Sequence, residues 1–203
     1  MADFEKVSSS YYGRPVEIEW DNGELWATMD DPKWLYATPI ETLKTSNHPP
    51  LSTRKRLGLM TGSHHMQVYW MSSGHGNSQD IFPLCYLKEE QRWVPFKDTF
   101  LRDPAMSHYD QKWNGNCIEC HVTVGQPSPV SPLATKTKSA ELGIACEACH
   151  GPGRKHVEMA KANNGWQGMP HHGLAAVNSS NKAQIESCAK CHARRGFVHP
   201  GHH

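Results

Sequence analysis

The sequence predicts an α+β chain with little regular secondary structure. A small β-containing region is expected over residues 1–100, with short helices at three cysteine pairs within residues 101–203. Three observations carry this. Hydrophobic residues make up 37% of the 203, a low share for a globular chain, against 16 Gly and 14 Pro. Alternating apolar segments cluster in the first hundred residues, and six of the seven cysteines form C-x-x-C pairs in the second hundred. Such a chain is short of side chains for an ordinary core. Either much of it is loop, or something other than protein fills the middle.

The elements follow in chain order. "PVEIEW" and "ELWATM" flank "DNG", a hairpin signal, and "HMQVYWM" and "QRWVPF" add further alternating strands. Trp20, Trp26, Trp34, Trp70, Trp93 and Trp113 are expected as ordinary core or as packing against whatever fills the middle. "GQPSPVSPLATKTKS" (125–139) reads as a solvated connection. "SAELGIACEACHGPG" reads as a short helix stopped by Gly-Pro-Gly, after which "RKHVEMAKA" begins another. "NKAQIESCAKCHARRG" has the best helical pattern, with Asn181 as cap, Gln184 at N3 and Gly196 as stop.

A net charge of +1 argues against nucleic acid or an anionic membrane as the main partner. Residues 101–203 carry 11 Lys+Arg against 7 Asp+Glu, enough to offset several carboxylates of a cofactor. No apolar run approaches the ~20 residues needed to span a bilayer. The N-terminus "MADFEKVSSS" has no apolar export segment.

The pairs are Cys117 with Cys120, Cys146 with Cys149, and Cys188 with Cys191. Each is followed at once by histidine: His121, His150 and His192. Three such neighbours by chance are expected on the order of 0.03% of the time. Zinc would use the cysteines but not the histidines. Its four-cysteine sites place pairs about 15–20 residues apart, whereas 25 and 38 residues separate these. A dithiol motif would explain one pair, not three. Covalent haem c uses every residue: two thiols one helical turn apart add to the two vinyl groups, and the next imidazole ligates the iron. Three covalently attached haems are expected, and their flat apolar surfaces would supply the missing core. Cys85 stands apart as a small buried hydrophobe.

"GIACEACHGPGRKH" resembles a signature of multihaem cytochromes c related to the tetrahaem cytochromes of nitrifying bacteria. "TGSHHMQVYW", "YLKEEQRWVPFKDTFLR" and "WNGNCIECH" resemble further blocks, so the likeness extends over residues 55–196. It implies exported electron carriers with closely stacked haems, mostly ligated by two histidines. Longer members have a CxxCH before residue 117, which this chain lacks. Haem c also implies a periplasmic or extracellular location. With no export signal in view, the simplest account is a fragment or a processed form.

Distal ligands are sought among eleven remaining histidines. His64 and His65 fall in a family block, with His65 favoured; His156 occupies the last position of the signature. His171 and His172 lie between the second and third anchors, and one of them completes the set. His48 and His108 are reserves, while His75, His199, His202 and His203 are expected on the surface. Arg154, Lys155, Arg194 and Arg195 follow anchors closely and are candidates for haem propionates. His150 and His156 are expected on different irons, because the intervening Gly-Pro-Gly turn is too short a path around one porphyrin edge. The resulting expectation is a trihaem electron carrier with redox partner proteins and no membrane span. The alternatives are a reductase or oxidase with one five-coordinate haem, or a self-associating block of an extracellular filament.

Overall fold

The computed structural model describes residues 5–47, 52–99, 111–162, 170–175 and 179–193. His48, His108, His199, His202, His203, Arg194, Arg195 and Gly196 lie outside the described residues. Two compact units emerge. A sheet unit comprises residues 1–116 and 128–137; an anchor unit comprises residues 117–127 and 138–203.

The sheet unit is a seven-stranded antiparallel meander: β1 (Lys6–Tyr11), β2 (Arg14–Asp21), β3 (Glu24–Met29), β4 (Thr53–Thr61), β5 (Met66–Ser72), β6 (Gln79–Leu87) and β7 (Arg92–Pro95), each paired with the next. Regular structure is thus far more extensive than the composition suggested. The reason is economy. In β2 and β3, Val16, Ile18, Leu25, Ala27 and Met29 point inward while charged neighbours point out, so half the residues of a strand build the core. The expected "DNG" hairpin forms: Val16 pairs with Met29 and Asp21 with Glu24, around Asn22 (φ 51°) and Gly23 (φ 79°). Both turn residues are left-handed, the geometry that matches strand twist. Three strands carry no alternating pattern: β1 and β4 because "KVSSSY" and "TRKRLGLMT" are largely polar, and β6 because "IFPLCYL" is apolar throughout.

β5 and β6 are buried along most of their length, from Gln67 to Met71 and from Ile81 to Cys85. Two short helices, α1 (Pro32–Ala37) and α2 (Ile40–Thr45), add Leu35 and Leu43 to the core. The Asp31 carboxylate caps α1 by accepting from Lys33 N and Trp34 N. One charged pair is buried: Arg14 Nε donates to Asp30 Oδ2 at 2.6 Å. The tryptophans are mainly core, as expected. Trp70 and Trp113 are buried, and Trp20, Trp34 and Trp93 are partly buried against the core. Trp26 instead lies under the Arg54 guanidinium.

The proline-rich segment is not merely solvated. Asn77 N–H and side-chain amide donate to the Thr135 and Thr137 carbonyls, at 3.1 and 2.8 Å. Buried Asn114 accepts from Gln79 N at 2.7 Å and donates to Thr137 Oγ1 at 2.8 Å. Polar side chains, invisible to a hydrophobic pattern, fasten residues 128–137 to the sheet unit.

The anchor unit is built from α3 (Ile118–His121), β8 (Val122–Thr123), β9 (Glu141–Leu142), α4 (Cys146–His150), α5 (Arg154–Lys161), a 3-10 turn at Pro170–Gly173 and α6 (Asn181–His192). The helix expected from Ser139 starts only at Cys146, because Glu141 and Leu142 pair with Thr123 and Val122. Gly151, at φ 72°, ends α4 as expected. Ser180, not Asn181, caps α6, its side chain accepting from Ala183 N. Among the described residues only Ile118, Val122 and Thr123 are buried in this unit, and α4, α5 and α6 bury nothing. No helix among the described residues is long and apolar enough to cross a membrane.

Candidate functional site

Each CxxCH motif occupies a helical turn. Cys117 is the N-cap of α3, whose last residue is His121. Cys146 opens α4, Cys149 follows within the same turn, and His150 closes the helix. Cys188, Cys191 and His192 form the last turn of α6. At 3.6 residues per turn, cysteines three apart share a helix face. None of the six is in a disulfide. Cys117 and Cys120 are half-buried. Cys146, Cys149, Cys188 and Cys191 are exposed. Neither α4 nor α6 has a buried residue. Burial, with Cys120 alongside, pushes the Cys117 thiol up to about 11.

The first anchor is the hub. Thr123, fully buried, donates its hydroxyl to the Gly143 carbonyl at 3.1 Å and accepts from Ala145 N at 2.9 Å, one residue before Cys146. Gly143 N–H donates to the His121 carbonyl at 3.2 Å. A single hydroxyl therefore couples the end of the first anchor to the start of the second. Cys120 Sγ lies 4.0 Å from the Cys191 carbonyl, bringing the third anchor to the same place. Space is tight behind the hub: a Cβ on Gly125 would sit 2.7 Å from both the Ile118 carbonyl and Cγ1. Sequence reasoning missed Thr123, since a threonine two residues after an anchor carries no pattern of its own.

Of the candidate distal ligands, His156 is half-buried on α5, and its Nδ1 lies 3.1 Å from the His172 carbonyl. His171 and His172 are exposed in the 3-10 turn. Ala175 N–H donates to the His150 carbonyl at 2.7 Å, so residues 170–175 meet the second anchor and α5 together. His64 and His65 belong to the sheet unit, exposed between β4 and β5. His65 lines a cleft of about 510 Å³ with Leu87, Val94 and Asp98. Arg154 and Lys155 are exposed on α5, and Cys85 is fully buried in β6.

The residues fit haem c. Besides the thiol pairs and following histidines, the anchor unit holds exposed apolar side chains in place of a core: Val124, Leu142 (69% exposed), Ile144, Val157 and Ile185 (67%). Flat apolar groups bonded to the adjoining thiols would cover such surface. Among the described residues, no group of three or more His, Cys, Asp or Glu side chains is gathered as a metal site would require.

Residues 88–151 match the family described as "Cytochrome c554 and c-prime", a stretch that includes the first two anchors. A comparison with curated proteins finds no match. Among solved structures, the chain is similar to that described as the crystal structure of the outer cell wall cytochrome OcwA. Identity is 20% and the TM-score 0.41, over 69% of this chain and 25% of that one. The chain thus spans a quarter of the length of that cytochrome.

Proposed function

We propose that this chain is a multihaem c-type cytochrome and a trihaem electron carrier, a reading supported by the family match over residues 88–151. The family implies covalently bound haem c and electron transfer in general. The number three and the ligand set are this proposal's own. The observation that carries it is that three CxxCH turns come together in one unit whose described residues bury only Ile118, Val122 and Thr123.

The chain's contribution is positional. Cys117 with Cys120, Cys146 with Cys149, and Cys188 with Cys191 would each form two thioethers, and His121, His150 and His192 would be the proximal ligands. Exposure of Cys146 and Cys149 leaves both thiols open to a porphyrin edge. Bound haem c supplies a one-electron iron couple, tuned by axial ligand, burial and nearby charge. Thr123 and the Cys120–Cys191 contact fix how far apart the anchors stand. His156, one of His64 and His65, and one of His171 and His172 would be the distal ligands. His156 would serve an iron other than that of His150. Partner redox proteins outside the cytoplasm, in the periplasm or at the cell exterior, would exchange electrons with it.

Intact-mass measurement tests the count. The expected mass is the polypeptide plus three haems, with a reduced-minus-oxidised spectrum of low-spin haem c. A chain carrying zinc and no haem overturns the proposal.

A further inference from the structure

The turn Pro170–Gly173 has an uncommon backbone. His171 and His172 adopt φ of 51° and 55° in succession, a left-handed conformation that residues other than glycine seldom take. Its consequence is directional: the His172 carbonyl comes 3.1 Å from His156 Nδ1. A carbonyl can only accept, so that bond requires the proton on Nδ1. A neutral imidazole protonated there carries its lone pair on Nε2, the nitrogen then able to bind metal. Three residues on, Ala175 N–H holds the His150 carbonyl at 2.7 Å.

We propose that His172 is a positioning residue that acts through its main-chain carbonyl, holding His156 in the Nδ1–H tautomer with Nε2 presented to a haem iron. This rests on the reading of His156 as a distal ligand. The left-handed turn aims the carbonyl, and the Ala175 bond ties the same segment to the second anchor. One short stretch thereby orients a proximal and a distal histidine. Donation to a carbonyl also makes the ring a stronger electron donor, which favours the oxidised iron and lowers its potential.

The test uses the loaded protein. In the reduced, low-spin state, nitrogen-15 NMR should show His156 with a slowly exchanging proton on Nδ1. Gly173, at φ 78°, sets the direction of the His172 carbonyl without supplying a ligand; Gly173→Asn tolerates left-handed backbone and should leave all potentials and the electron paramagnetic resonance spectrum unchanged. Gly173→Val resists that backbone; one potential should rise and one low-spin signal should shift. The proposal is overturned if His156 lacks the Nδ1 proton, if the valine variant matches the parent, or if the asparagine variant loses low-spin haem. Should the valine variant fail to load haem, the parent NMR decides. Failure of the underlying reading looks different: His156→Ala would then leave every spectrum unchanged in a haem-loaded protein.

Discussion

Thr123 shows how much of the anchor unit hangs on single atoms. Its hydroxyl is buried, with partners on both sides, so Thr123→Val keeps the shape and strands a carbonyl and an N–H. The loss should be about 2 kcal/mol, read as a lower unfolding midpoint of the loaded protein. The relative haem potentials should move as well, because His121 and Cys146 would no longer be held at a fixed spacing. Unchanged potentials would mean that the hydroxyl serves stability alone. Cys85 makes the opposite case, a cysteine outside the three C-x-x-C pairs. Burial raises its thiol to about 11 from an ordinary 9. The unfolded chain therefore loses this proton near pH 9 and the folded chain only near 11. Stability should fall as pH rises between those values and level off beyond. Cys85→Ala should flatten that decline in denaturant titrations run across the same alkaline range. Iodoacetamide adds a check. The native loaded protein should take no label and the denatured one a single label, at Cys85.

At the scale of elements, the meander and its short helices are joined by the buried Arg14–Asp30 pair, with Arg14 also stacked on Trp34 of α1 and donating to the Ser46 carbonyl. Asp30→Ala would leave the guanidinium buried and uncompensated, at about 3 kcal/mol. Chemical denaturation followed by tryptophan fluorescence measures it. The strands themselves were partly legible. β2, β3, β5 and β7 announce themselves through alternation, and Asn22-Gly23 fixes one register. β1 and β4 do not, because polar residues fill them and only pairing with neighbours makes them strands. Helix α4 was legible as an anchor but not in its start, since Glu141–Leu142 is claimed by a tertiary partner. Among candidate site residues, the three CxxCH triplets stand out in the sequence by their spacing, and each lies on a helical turn. Their exposure was not legible: nothing in "CEACH" says that Cys146 and Cys149 face solvent while Cys117 and Cys120 are half-buried. The distal histidines were not legible either, because a second ligand has no required distance in sequence. His172 carries its clearest contact through a carbonyl that every residue possesses.

For the whole molecule, the contrast between the two units predicts unequal dependence on the cofactor. The sheet unit buries a full apolar cluster from Tyr11 to Leu84. The anchor unit buries three side chains among its described residues. Produced without haem attachment, the chain should keep slow amide exchange across β2–β6 while α4, α5 and α6 exchange quickly and are cut by protease. Equal protection in both units would refute the haem-as-core account. An enzyme-like iron would reveal itself differently, as a high-spin signal that binds carbon monoxide.

The chain passes from one unit to the other at residue 117, back at 128 and over again at 138. No single cut therefore separates them. Severing the polypeptide after Asn116 would deprive the sheet of the segment that Asn77 and Asn114 grip, and severing it after Thr137 would take the first CxxCH away from the other two. A protease that nicks the loaded protein once, on either side of residues 117–137, should therefore leave two fragments that stay together under native conditions and part only on denaturation.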